Sequence, residues 1–142
     1  MVSPKNFTFA NIEAQYKHAL DAGYKFITCA EYVQQKFQLP KLTIVNRVDI
    51  DFSVKKAERL KNIFSRLNIK ASFFIRLHAH EYNPFSFENY RILKSISKDG
   101  HELGYHSEIV DQAKIWNEEA SECLKRDLEI IERMFDFKVK GV

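Results

Sequence analysis

Three short strand-like stretches, each followed by a helical pattern, constrain the fold of this chain more than any other feature. They span residues 42–51, 70–77 and 101–106, and their starts are separated by about 30 residues, the length of one strand–helix–strand unit. Antiparallel hairpins need only a tight turn, whereas parallel strands need a crossover of about a dozen residues or more. The spacing therefore predicts an α/β fold of parallel strands with helical crossovers.

Helices are expected in the intervals between these strands. Ser53 and Ser86 are suitable N-caps, because a serine hydroxyl accepts a hydrogen bond from a free amide of the first helical turn. The helices that they begin are expected to end near residues 67 and 97. A third helix is predicted over 112–135 from its apolar stripe, and a fourth strand begins at 137.

The chain divides into a predicted preamble, residues 1–40, and a main unit, residues 41–142. Apolar spacing in the preamble predicts a helix over 11–22, and Gly23 suits the left-handed residue that often follows a helix. A short strand over 24–28 and a second helix over 30–37 are expected next. The preamble is therefore a helical and short-strand segment that leads into the parallel strands.

Composition excludes several classes of function. The net charge of the 142 residues is only +3, and no basic stripe with interleaved aromatic residues is present, so a nucleic-acid partner is not expected. No apolar stretch is long enough to span a membrane, and no signal core begins the chain. Cys29 and Cys123 lie outside any Cys-x-x-Cys motif and are expected to be free thiols. These features indicate the cytoplasm.

Chemically active side chains follow each of the three strands. Because active sites of parallel α/β folds form at the carboxyl ends of the strands, we expect these side chains to line one rim. Carboxylates and imidazoles are the ligands of a divalent ion such as zinc, and a carboxylate beside it acts as general base on water. A metal-dependent hydrolase is thus the leading hypothesis. The residues concerned are Asp49, Asp51, His78, His80, His106, Glu108 and Asp111.

Each of these residues also has a structural interpretation. Asp49 and Asp51 fit a strand end and a helix-capping turn, and His78 and His80 fit a solvated loop. Glu108 and Asp111 fit the approach to the next helix. The spacing alone leaves both interpretations open.

The segment 100–107, Gly-His-Glu-Leu-Gly-Tyr-His-Ser, resembles the second motif of the polysaccharide deacetylase superfamily, the NodB-homology domain. The Asp-Ile-Asp of 49–51 stands where the first motif of that family stands. The segment 70–75 is similar to its intervening strand. The resemblance covers roughly residues 20–142, and the order of the blocks makes it more specific.

The resemblance implies a fold, an activity and a set of roles. The fold is a deformed (β/α) barrel, of which residues 41–142 are the N-terminal half. The activity is removal of an N-acetyl group from a carbohydrate by a metal-dependent hydrolase, with zinc as the expected metal. The implied general base is Asp49, the implied ligands are Asp51, His106 and one of Glu108 or Asp111, and the expected substrate contacts are Arg47, His78 and His80.

The chain departs from the family pattern at defined positions. Val110 stands where a second metal-binding histidine is expected, and Val48 stands where the divergent branch of the family has histidine. The later motifs have no counterpart. An alternative is therefore a truncated, catalytically inactive domain that serves as a structural or binding module. A homo-oligomer or a second chain would then complete the barrel. A small α/β domain that binds a ligand through loop 78–85 is the third possibility.

Overall fold

The computed structural model describes residues 6–36 and 38–142 of the chain, and these residues form helices and short strands in alternation. The elements in chain order are α1 (Phe9–Asp21), β1 (Lys25–Ile27), α2 (Cys29–Gln34), β2 (Thr43–Val45), β3 (Arg47–Ile50), α3 (Val54–Arg66), β4 (Ser72–Ile75), α4 (Phe87–Lys98), β5 (Glu102–Tyr105), α5 (Ile109–Trp116) and α6 (Ala120–Phe135).

The strands pair in parallel. β3, β4 and β5 form one sheet in that order, and β1 pairs with β2. Asn46 joins the two sheets through its backbone. Its backbone N donates to Ile27 O at 2.9 Å, and its backbone carbonyl accepts from Ser72 N at 2.8 Å. The prediction of parallel strands with helical crossovers is confirmed, and the described strands form an open sheet rather than a closed barrel.

The sheet β3-β4-β5 has two chemically different faces. Neighbouring parallel strands place residues of the same register on the same face, and successive residues on opposite faces. One face therefore carries Val48 and Ile50, Phe73 and Ile75, and Leu103 and Tyr105. The other, which we call the polar face, carries Arg47, Asp49, Ser72, Phe74, Glu102 and Gly104.

The hydrophobic core lies on the first of these faces. Phe73 and Ile75 are fully buried there against apolar residues of α3, α4 and α6, among them Phe64, Leu93 and Ile131. Burying apolar surface on one face while leaving polar groups on the other is the main driving force for this arrangement. On the polar face Ser72 and Phe74 are buried, whereas Arg47 and Asp49 are exposed, so a ligand can reach this face at β3.

The preamble packs on the rest of the chain. The Tyr16 ring of α1 lies 4.8 Å from the Phe64 ring of α3, and its hydroxyl donates to Asn46 Oδ1 at 2.6 Å.

The predicted helix caps Ser53 and Ser86 are confirmed, since each side chain accepts a hydrogen bond from a backbone amide of the first helical turn. Gly23 adopts φ +86° after α1, as expected of a residue that ends a helix.

Three predictions about elements need correction. The strand predicted over 42–51 is divided at Asn46, and β3 leaves Arg47 and Asp49 of its polar face exposed. The helix predicted over 112–135 is two helices, since Asn117 takes a left-handed conformation with φ +55°. Residues 137–142 form no strand, although Tyr105 N donates to Gly141 O at 3.1 Å.

The second helix of the preamble, α2, begins one residue earlier than predicted, at Cys29. Its predicted end at residue 37 and the first five residues of the preamble lie outside the described residues.

Candidate functional site

The carboxyl ends of β3, β4 and β5 form a polar rim, which we define by Asp49, Asp51, Arg76, His106 and Glu108. Asp49 lies on the polar face of β3, and Asp51, Arg76 and His106 follow the last residues of the three strands. His106 N donates to Ile75 O at 2.8 Å, which continues the ladder between β4 and β5 by one residue. The expectation that residues after different strands meet at one rim holds for this set.

Asp49 and His106 form a carboxylate–imidazole pair at the rim. His106 Nε2 lies 3.8 Å from Asp49 Oδ2, and both side chains are about one-third exposed. Asp49 Oδ1 also accepts a 2.9 Å hydrogen bond from Arg47 Nε, and the Arg47 guanidinium lies over the Phe74 ring. The pair is thus accessible to a ligand, and Arg47 orients the carboxylate.

Arg76 lies at the centre of the rim and contacts three different segments. Its Nη2 donates to Glu108 Oε1 at 2.6 Å, and its Nη1 lies 3.4 Å from Glu81 Oε2 and 3.3 Å from the Asp51 carbonyl. The hydrogen bond to Glu108 raises the pKa of Arg76, so this guanidinium is always charged. Arg76 therefore links the ends of β3 and β4 to the start of α5.

Tyr82 supports Arg76 from the loop after β4. Its hydroxyl donates to Ile50 O at 2.7 Å and accepts from Arg76 N at 3.0 Å. Burial raises the pKa of Tyr82 to about 12, which keeps the hydroxyl protonated and able to donate.

The remaining predicted metal ligands lie around a cavity of about 390 Å³ at this rim. Asp51, His106, Glu108 and Asp111 all line it, together with Arg76. Asp111 is exposed in the first turn of α5, and Glu108 is the N-cap residue of that helix. The predicted ligands are therefore neighbours, and among them Glu108, through its carboxylate, and Asp51, through its backbone carbonyl, contact Arg76.

His78 and His80 lie away from this cavity. His78 Nε2 is 2.9 Å from Oδ2 of the buried Asp127 in α6, and its ring meets the Trp116 indole edge-on at 5.0 Å. Tyr105 OH donates to the same Asp127 oxygen at 2.6 Å, and burial together with this hydrogen bond raises the pKa of Tyr105. His80 is almost fully exposed beside Glu81.

The donors present at the rim do not fit the ligand set that the deacetylase resemblance implies. A zinc site in a protein uses three or four side-chain ligands around one point. Within residues 6–36 and 38–142, no three His, Cys, Asp or Glu side chains form a group that could hold a metal ion. Asp49 and His106 supply two suitable donors, while Glu108 is engaged by Arg76.

Sequence reasoning assigned no role to Arg76 or Asp127. Arg76 directly follows the buried strand β4, so the rule that selected Asp51 and His106 applies to it as well. Asp127 lies four residues from both Cys123 and Ile131 in the buried stripe of α6. An apolar stripe predicts which apolar residues of a helix are buried, and it does not predict a buried carboxylate beside them.

The chain matches no family model, no curated protein and no solved structure. None of the described helices has the length and the apolar character that crossing a membrane requires. The rim geometry and the motif resemblance are therefore the two observations that bear on function.

Proposed function

We propose that this chain is a hydrolase of the polysaccharide deacetylase type, which removes an N-acetyl group from a carbohydrate at the Asp49–His106 pair. One observation carries the proposal. The two residues on which the motif resemblance depends lie in distant parts of the sequence, yet their side chains approach to 3.8 Å on an accessible rim. Acid–base pairs of this kind catalyse the addition of water to amides.

In the proposed reaction, Asp49 accepts a proton from a water molecule as the water oxygen bonds to the acetamide carbon. The C–N bond then breaks, and the amine nitrogen receives a proton from His106. Acetate and the free amino sugar leave, and proton exchange between the two side chains and solvent restores the pair. Arg47 holds the Asp49 carboxylate in position through its 2.9 Å hydrogen bond.

The fold supports the same proposal at a coarser level. Three parallel strands connected by helices, with those helices packed on one face of the sheet, are the arrangement from which a (β/α) barrel wall is built. We therefore propose a partial barrel of the NodB type. The donors present at the rim do not fit the ligand set of zinc. Zinc stays a prediction that metal analysis can check.

A non-catalytic binding domain is the second candidate. The observation that favours it is charge compensation, because Arg47 pairs with Asp49 and Arg76 pairs with Glu108. In this alternative the rim binds a carbohydrate without turnover, and a second copy or another chain covers the sheet edge. A cytoplasmic location is part of both proposals, and the two free thiols support it.

The test is acetate release from N-acetylglucosamine oligomers by the purified chain, with and without added zinc. We expect release by the wild type and a loss of about 10²–10⁴-fold in Asp49→Asn and in His106→Gln, the range for removal of a general acid or base. Asp21→Asn makes the same chemical change at the exposed end of α1 and is expected to leave activity unchanged.

An Asp49→Asn variant with full activity would overturn the proposed mechanism. If the wild type releases no acetate, the hydrolase proposal is wrong. In that case, chemical-shift changes of rim residues upon addition of the same oligomers would favour the binding domain.

A further inference from the structure

The extended segment that runs from β2 into β3 has one edge that no described strand occupies. We propose that two copies of the chain associate through this edge. Residues 43–50 of the two copies pair antiparallel about a two-fold axis, and Arg47 of each copy lies opposite the partner's Asp49. This association is independent of the proposed hydrolase activity and is measured separately from it.

Backbone hydrogen bonds show which edge of this segment is free. In a strand, the N–H and C=O of one residue point to the same side, and those of the next residue point to the opposite side. Leu42 O accepts from Lys25 N and Asn46 N donates to Ile27 O, so the even-numbered residues of β2 face β1. Asn46 O accepts from Ser72 N, so the even-numbered residues of β3 face β4. β1 and β4 therefore lie along the same edge.

The opposite edge carries the backbone groups of the odd-numbered residues, which are Thr43, Val45, Arg47 and Asp49. Within the part of the chain that the structure describes, no hydrogen bond reaches the backbone N or O of these four residues. The last three of them are exposed. Because free N–H and C=O groups in a row are a template for pairing with another chain, this edge is suited to accept a further strand.

The charges along the free edge favour a second copy as the partner and select the register. An axis at Val48 places Arg47 opposite the partner's Asp49 and Asp49 opposite the partner's Arg47, and each of these pairs exchanges both backbone hydrogen bonds. An axis at Arg47 would place two arginines opposite one another. An axis at Asn46 would place both charges opposite uncharged residues. Since opposite charges across strands stabilise pairing and like charges oppose it, the axis at Val48 is preferred.

The apolar side chains near this edge suit the same axis. Val48 is half-buried on the core face, and it would meet the partner's Val48 at the axis. A cavity of about 590 Å³ is lined by residues 47–51 together with apolar residues of α1 and α3, among them Ile12, Tyr16 and Leu60. Phe52, which is 72% exposed, lines it as well. Pairing at the edge would therefore remove apolar surface from water in addition to bonding the free backbone groups.

Edge pairing leaves the polar face of the sheet open, because the partner strand extends the sheet sideways. The partner's Arg47 would then lie opposite Asp49, which already accepts a hydrogen bond from Arg47 of its own chain. The second copy therefore contributes a guanidinium to the part of the rim that contains Asp49 and His106.

The experiment measures the mass of the purified chain by light scattering over a range of chain concentrations. Arg47→Glu and Asp49→Lys each place like charges opposite one another in both symmetry-related pairs. An equimolar mixture of these two variants restores opposite charges in both pairs of a mixed dimer. Lys55→Glu is the matched control, because Lys55 also pairs with an exposed carboxylate, Glu88, at 2.9 Å, but between α3 and α4.

We expect dimers of the wild type and of Lys55→Glu. Arg47→Glu alone and Asp49→Lys alone are expected to dimerise at least about tenfold more weakly, and their mixture is expected to regain the affinity of the wild type. A wild type that stays monomeric at every concentration would overturn the proposal. Folded edge variants that dimerise as tightly as the wild type, or a mixture that associates no better than its components, would overturn it as well.

Amide hydrogen exchange of the wild type covers the case in which an edge variant does not fold. The amides of Arg47 and Asp49 point to the free edge, whereas those of Val48 and Ile50 point to β4. We expect the amides of Val48 and Ile50 to be protected at every concentration, and those of Arg47 and Asp49 to become protected as the concentration rises. Exchange at Arg47 and Asp49 that does not depend on concentration would contradict pairing at this edge.

Discussion

Gly104 shows how closely the polar face is packed at the level of one residue. A Cβ atom at this position would lie 2.6 Å from Phe74 Cε1 and 3.0 Å from the Gly141 carbonyl oxygen. Phe74 is itself buried, beneath the Arg47 guanidinium, so the ring has little room to move. The second glycine of the 100–107 motif is therefore required for space rather than for backbone conformation.

We predict that Gly104→Ala destabilises the chain by about 1–3 kcal/mol, the usual effect of overpacking in a close-packed region. Gly100→Ala is the informative comparison, because Gly100 has open space around it but adopts φ +83°. Its expected loss is about 1–2 kcal/mol, from left-handed strain alone. Urea unfolding measures both, and an unchanged stability in Gly104→Ala would contradict the packing argument.

Helix α2 illustrates how an element depends on its neighbours. With six residues it is too short to be stable alone. Its first amides are instead bound by other parts of the chain: Cys29 N donates to Ser72 Oγ at 2.8 Å, and Ala30 N donates to Glu102 Oε2 at 3.0 Å. The starts of β4 and β5 therefore anchor this helix at the end of the sheet opposite to the rim.

We predict that Ser72→Ala lowers the free energy of unfolding by about 1–3 kcal/mol, because it leaves a partly buried amide without its acceptor. The substitution should also increase the rate of amide hydrogen exchange more at residues 29–34 than in β4. Ser86→Ala removes the N-cap of α4 and serves as a control, with a loss of about 1 kcal/mol and no change in α2 exchange. Equal exchange of α2 amides in the wild type and in Ser72→Ala would disprove the anchoring role.

The stability of the whole molecule should depend on pH through His101. This residue is buried, its Nδ1 accepts from Ala71 N at 3.2 Å, and burial lowers its pKa below the ordinary 6.5. The unfolded chain therefore binds a proton at a higher pH than the folded chain. The contribution of neutral His101 to stability is complete above pH 6.5 and is lost as the pH falls through the lower folded pKa.

We predict that His101→Phe costs about 1–3 kcal/mol at pH 7.5, because the fully buried Ala71 amide loses its acceptor. The difference between wild type and variant should shrink as the pH falls below 6.5, since only the wild type loses the His101 contribution. Urea unfolding at several pH values measures this difference. A difference that stays constant down to pH 5 would show that His101 does not couple folding to protonation.

Parts of the site were predictable from the sequence because they depend on local rules. The meeting of Asp49 with His106 follows from their positions at the carboxyl ends of parallel strands. The pairing of Arg76 with Glu108 could not be predicted from the sequence, because a long side chain can reach several partners. The conformation of the surrounding loops determines which partner it contacts. The role of Asp127 was also missed, since the apolar stripe of α6 does not indicate that a carboxylate is buried beside it.

The sequence by itself determined the order of the strands and helices, their parallel pairing and several helix ends, because these depend on local periodicity, caps and crossover length. The tertiary structure decided where the sheet divides, where the long helix breaks, and which charges face one another. These outcomes depend on distant parts of the chain. A carboxylate at the rim is a candidate metal ligand until a neighbouring element brings a guanidinium to 2.6 Å from it.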